Sequence, residues 1–223
     1  MTSLQKPAAA TAEDDSPPEP GAARSIIDDQ RGKVSEQLDL DARILFGAWG
    51  TAWLVGFGLQ WLAARGDVDS VVAGATFGGL MVLAGVVTAV HSARRSAGVR
   101  GPSARQGAMY GWSWSLSFAG IVGLSVGLSR LGADSEVVGI VMTVASALLV
   151  AALYMTGGAM WGDVTFFALG AWIAVVTAVA AVIAGEATPL VMALAGGGGM
   201  LAAAGRDAVL RRRRAPAATG SAA

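Results

Sequence analysis

Side chains able to do chemistry are sparse in this sequence, and where they fall decides what they can do. There is no cysteine, which excludes disulfides, thiolate metal sites and cysteine nucleophiles. His91 is the single histidine, so a multi-histidine metal centre is excluded too. Hydroxyls are more plentiful. Thr51, Thr76, Thr88, Thr143, Ser146, Thr165 and Thr177 are scattered, and Ser113, Ser115, Ser117, Ser125 and Ser129 form a series. On a helix Ser113 and Ser117 share a face, as do Ser125 and Ser129, so they could line a polar groove. The commoner use of such hydroxyls is a bond to a carbonyl of their own helix or to a neighbouring helix. No serine-hydrolase elbow, phosphate-cradling loop or carboxylate pair occurs. The run Gly196–Gly199 lacks the Lys-Ser/Thr that a phosphate loop requires.

The elements that would carry these residues are apolar helices. The chain has 223 residues, 54% hydrophobic and 14% charged, against about 25% charged in an ordinary soluble domain. Asp, Glu, Lys, Arg and His are absent from six windows: Ile44–Ala64, Val71–Val90, Met109–Ser129, Val137–Met155, Val164–Ala184 and Pro189–Ala204. Crossing a bilayer core takes about 20 apolar residues, and all but the last window come close to that length. The expected fold is therefore all-α: a polytopic membrane protein with a bundle of six transmembrane helices. The spans fall at about 44–64, 71–90, 109–129, 137–155, 164–184 and 189–205, within a transmembrane domain 43–210. Ionisable groups at the bilayer centre mark ion paths and proton relays. Their absence argues against coupling through buried carboxylates and against intramembrane acid–base or metal chemistry. No cofactor and no enzymatic activity are expected.

Residues 1–24 are Pro-, Ala- and acid-rich and read as a disordered cytoplasmic tail. Residues 25–42 read as a short amphipathic helix, capped by Ser25, with Ile27, Val34 and Leu38 on one face. It lies on the membrane surface or stands as a solvated stalk. The first 40 residues lack a basic stub followed by an apolar run, so the first span is expected to serve as the insertion signal. Residues 211–223 form a basic, then disordered, tail.

Orientation follows from the 16 Lys and Arg. All except Arg65 and Arg130 lie before the first window, between the second and third, or after the last. Cationic segments resist translocation, so both termini are expected in the cytoplasm of a cell-membrane protein. The connection Thr156–Asp163 should also be cytoplasmic, although it holds no basic residue. Trp61, Tyr110, Trp112, Trp114 and Trp161 stand near window ends, where aromatic rings suit the headgroup level. Asp163 is placed to cap the fifth helix, which opens VTFF. Glu186 and His91 read as boundary residues, and Arg211, Arg212, Arg213 and Arg214 as contacts for anionic lipid heads or as a topological anchor.

AGGGGM, at Ala195–Met200, puts four glycines inside an apolar window. Glycine costs roughly 1 kcal/mol against alanine in a water-exposed helix. In lipid, small residues let backbones approach where no hydrophobic force drives helices together. Gly196, Gly197, Gly198 and Gly199 are then either a packing strip or a hinge in an interrupted, substrate-lining helix. Small residues recur four apart at Ala48, Ala52 and Gly56, at Gly74 and Gly78, at Ala119, Gly123 and Gly127, and at Gly170, Ala174 and Ala178.

In DQRGKVSEQLDLDARILFGAWGTAWLVGFG (Asp29–Gly58), LYMTGGAMWGD (Leu153–Asp163) and LVMALAGGGGM (Leu190–Met200) the chain resembles uncharacterised six-span membrane proteins of high-GC bacteria. These are labelled only as membrane or transporter proteins, so the likeness implies an architecture and no activity. In architecture alone the chain is similar to export-type ABC permease subunits. Two function classes follow. One is a permease-like or transport-associated subunit with an ATPase partner. The other is a scaffold or modulator of a regulatory partner, acting through residues 1–42. A homo-oligomer fits either, the lipid bilayer is common to both, and nucleic-acid binding has no support.

Overall fold

A computed structural model describes residues 42–96, 102–183 and 185–214, all within one of the chain's two units, Leu40–Ala223. The amphipathic helix expected over 25–42 lies outside the described residues, apart from its final position. Side chains are described for the same residues except 42, 95, 96, 102, 103 and 211–214. Among the described residues there is helix and no strand. In order these are α1 (Ala42–Ala64), α2 (Ser70–Ser96), α3 (Pro102–Arg130), α4 (Ser135–Trp161), α5 (Val164–Ile183) and α6 (Ala187–Val191). A π-helical segment (Met192–Gly197) and α7 (Gly198–Arg214) complete the series.

Five stretches are long and apolar enough to cross a membrane: Ser70–Arg94, Ala104–Arg130, Ser135–Trp161, Val164–Ile183 and Ala187–Leu210. Apolar helices in this number mark a multi-pass membrane protein. Most of the helices run past their uncharged windows, because helical hydrogen bonding does not stop where lipid does. One expected connection shrinks as a result. Thr156–Met160 is not a turn but the last part of α4, and only Gly162 and Asp163 separate α4 from α5. Gly162 takes φ 71°, and the Asp163 amide donates to the Gly158 carbonyl at 2.9 Å, the closing bond of a glycine-ended helix. Gly158 itself must lack a side chain, since a Cβ there would stand 2.5 Å from the Phe167 amide nitrogen of α5. Carboxylates start two helices. Asp69 Oδ1 accepts from the amides of Val71 and Val72, and Asp163 Oδ1 accepts from that of Phe166, satisfying donors that the first helical turn leaves unpaired.

The core is built by α1, α4, α5 and the last helical rod. Phe46, Trp53 and Phe57 of α1 meet Val150 and Tyr154 of α4, Leu169, Ile173 and Val176 of α5, and Met192 and Met200 beyond. Phe46, Tyr154 and Phe166 form an aromatic cluster across three helices, with centroids 4.4–6.2 Å apart. Helix α2 packs on α1 and α3 on α4. They sit at the margin of the core, touching it through Phe77, Met81, Trp114 and Phe118.

Helix α6, the π segment and α7 form one unbroken rod. Backbone angles at the junctions stay in the α region, with Val191 at φ −61°, ψ −44° and Gly198 at φ −60°, ψ −39°. The sequence explains the π turn. Thr188, Met192, Gly196 and Met200 are all buried, yet they recur every four residues. An ideal α-helix turns about 40° too far at each such step. A wider π turn absorbs much of that drift and keeps the four on the same side.

The rod crosses α1 closely. A Cβ at Gly197 would lie 2.6 Å from the Leu54 amide nitrogen and 2.9 Å from the Gly50 carbonyl oxygen. One at Gly50 would lie 3.0 Å from the Leu201 amide nitrogen. Backbone cannot yield as a side-chain tip can. Gly197→Ala should therefore destabilise the fold by about 1–3 kcal/mol, the usual cost of overpacking. Gly198, with nothing within 4 Å, is the internal control, and Gly198→Ala should be neutral or slightly stabilising. Thermal unfolding in detergent compares the two.

Candidate functional site

The glycine run of the last rod presents a different partner at nearly every residue. A Cβ at Gly196 would stand 2.9 Å from Cε3 of Trp53, and one at Gly199 would collide with the indole nitrogen of Trp172. Gly197 faces the α1 backbone, and Gly198 faces open space. Two tryptophan rings thus press on the rod, from α1 and from α5. The second also bonds to it: Trp172 Nε1 donates to the Ala195 carbonyl at 2.9 Å. The Gly198 amide also reaches that carbonyl, so the indole adds a second donor inside the π turn, where the pairing of carbonyls with amides is irregular. The residues named for packing on α3 stand otherwise. Gly123 and Gly127 have nothing within 4 Å, and Gly123 is exposed. Helix α7 extends through Arg214, but the side chains of Arg211–Arg214 lie outside the description.

Five hydroxyls are spent inside their own helices. Thr88 donates to Ala84, Ser113 to Met109, Ser115 to Gly111, Ser129 to Ser125 and Thr177 to Ile173, each at 2.7–3.2 Å. Thr88 Oγ1 also accepts from Trp49 Nε1 at 2.9 Å, tying α2 to α1. Thr188, buried, donates to the Ala180 carbonyl of α5 at 3.3 Å. Each bond removes a donor that would otherwise be stranded in an apolar medium. A hydroxyl so engaged is poorly placed to act as a nucleophile.

Two helices leave a cleft of about 680 Å³ between them. From α3 come Arg105, Gln106, Met109, Tyr110 and Ser113. From α4 come Thr156 and Met160. Tyr110 forms a fixed part of the lining. Its hydroxyl donates to the Leu153 carbonyl at 2.8 Å, and its ring meets Trp161 edge-on at 4.8 Å. Gly157 makes room for it, since a Cβ there would lie 2.7 Å from the Tyr110 oxygen and 2.5 Å from Cε1 of Phe166. Of the series singled out in the sequence, only Ser113 reaches this cleft. Arg105, Gln106 and Thr156 were missed, because α3 begins earlier and α4 ends later than their uncharged windows.

Comparison with known proteins adds no assignment. No family model, curated protein or solved structure matches this chain.

Removing the indole donor while keeping an aromatic ring isolates its bond to the rod. Trp172→Phe should lower stability by about 0.5–1.5 kcal/mol, the net worth of one hydrogen bond, and should raise amide exchange around Ala195–Met200. Hydrogen-exchange mass spectrometry in detergent measures both the size and the location of the effect.

Proposed function

We propose that this chain is a six-span integral protein of the cell membrane, acting as a permease-like or transport-associated subunit that draws its energy from a partner. The observation that carries this reading is the α3–α4 cleft, with its mixed polar and apolar lining, in a bundle whose six apolar windows contain no Asp, Glu, Lys, Arg or His. A carrier driven by protons or sodium needs coupling groups within the membrane. Without them, work has to be supplied from outside, by an ATPase subunit.

The sixth crossing in this reading is α1. At 23 residues it is about 34 Å long, enough to span. Its apolar character comes from Trp49, Trp53 and Trp61 as much as from aliphatics, diluted by glycines and Gln60. Phe46, Trp53 and Phe57 are buried in the core with residues of α4 and α5, which supports reading α1 as a crossing. An even number of crossings returns the C-terminus to the side of the N-terminus, in keeping with the arginine distribution. The resemblance to uncharacterised six-span proteins of high-GC bacteria belongs to the same proposal.

A scaffold or modulator is the second reading. It is favoured by the outward strip of α3, where Ala119 and Gly123 are exposed, a surface on which a partner's helix could close in.

Reporter fusions at the two ends should both report the cytoplasm; either end on the far side sinks the six-span topology. Affinity purification from native membranes should bring down an ATPase subunit in near-stoichiometric amount. A clean preparation carrying a regulatory protein instead transfers support to the second reading.

A further inference from the structure

We propose that the cleft between α3 and α4 is a binding site for one anionic phospholipid, its phosphate held by Arg105 and its upper chain lying along Met109 and Met160. The inference rests on the chain being embedded in a membrane; it does not depend on transport.

The polar groups of the cleft divide into spent and unspent. The hydroxyls of Tyr110 and Ser113 donate hydrogen bonds to the carbonyls of Leu153 and Met109. Arg105, Gln106 and Thr156 have no hydrogen-bond or ionic partner among the described residues. Arg105 alone offers five N–H donors in a rigid fork matched to phosphate oxygens. Gln106 is its chain neighbour on α3, and Thr156 stands across the cleft on α4. An anion entering the cleft meets a cation on its wall, with an uncommitted amide beside it and a hydroxyl on the facing helix.

The rest of the lining argues for more than a free anion. Met109 and Met160 are flexible, polarisable side chains that adapt to irregular apolar partners, and 65% of the surface of Met109 is exposed. Inorganic phosphate would occupy a small part of about 680 Å³ and would gain nothing from thioethers. An amphiphile with an anionic head uses both kinds of surface. The place also suits one. Arg105 stands in the first turn of α3, and Thr156 and Met160 in the last turns of α4, at the end of the apolar stretches where headgroups lie. The floor needs no rearrangement, since Gly157 seats Tyr110 and Trp161 braces it. A zwitterionic head would set its own cation close to Arg105, so the site should discriminate by charge.

The full chain, reconstituted into nanodiscs of equal phosphatidylglycerol and phosphatidylcholine, tests this after gentle extraction and native mass spectrometry. The wild type should retain one phosphatidylglycerol in preference to phosphatidylcholine. Arg105→Gln should reduce that preference about fivefold, the factor one basic residue supplies near an anionic surface. Met160→Trp, which fills the cleft, should reduce retention of either lipid. Arg130→Gln, at the other end of α3, should change nothing, and melting temperatures confirm that each variant is folded. Equal retention of the two lipids, or an unchanged preference in folded Arg105→Gln, overturns the proposal. Displacement by inorganic phosphate as effective as by lipid overturns it too, in favour of a small-anion site. None of these readouts involves an ATPase or flux, so a failed pull-down leaves this inference standing and a failed lipid assay leaves the transport reading standing.

Discussion

Everything else in the bundle depends on how closely α1 approaches the last rod. Gly50 and Gly197 let backbone meet backbone there, with sites for Cβ atoms only 2.6–3.0 Å from the opposing chain. In lipid there is no hydrophobic force to draw helices together, so dispersion contacts and a few hydrogen bonds must hold the bundle. Both grow steeply with proximity. Once the axes are that near, Trp53 can lie against Gly196 and Trp172 against Gly199, and the aromatic core around Phe46, Tyr154 and Phe166 closes beside them. Bulk at either glycine would push the rod away and loosen all of these contacts together.

The interior is polar only where polarity is immediately consumed. Hydroxyls return to carbonyls one turn back, two indoles donate to Thr88 and Ala195, and no buried side-chain nitrogen or oxygen is left without a partner among the described residues. That pattern holds structure together. Arg105, Gln106 and Thr156, whose donors are uncommitted, stand near the helix ends that face the α3–α4 cleft, where water or headgroups can reach them. The division is the expected outcome of a medium in which a stranded donor costs several kcal/mol.

Much of this was legible in the sequence, and the exceptions have physical causes. Uncharged windows located five of the helices that can span, because charge is costly in hydrocarbon wherever it falls. Asp163 announced itself as a cap by standing directly before VTFF, while Asp69, which does the same for α2, went unread because it sits in a charged turn. Bonding of hydroxyls back to their own helix was expected from residue type, and Thr88, Ser113, Ser115, Ser129 and Thr177 follow it. The π turn was illegible as such: the burial of every fourth residue is visible only once the neighbours are in place. Glycine spacing proved ambiguous in the same way. Gly56 sits under Phe77 and Gly170 against the α4 backbone, whereas Gly74, Gly78, Gly123 and Gly127 meet nothing within 4 Å. Spacing says that a flat strip exists and is silent on what lies opposite. Tyr110 was read as a headgroup aromatic, and its hydroxyl is committed inward to Leu153.

The lack of ionisable side chains within the apolar windows carries an electrical consequence. Membrane voltage does work only on charge that moves through it, about 2.3 kcal/mol per elementary charge for each 100 mV. Helices built from Val, Ala, Gly, Leu and Trp can tilt, slide or rotate without displacing any. Motions confined to these windows displace no side-chain charge of Asp, Glu, Lys, Arg or His, so any voltage sensitivity has to arise at the helix ends, where the arginines stand.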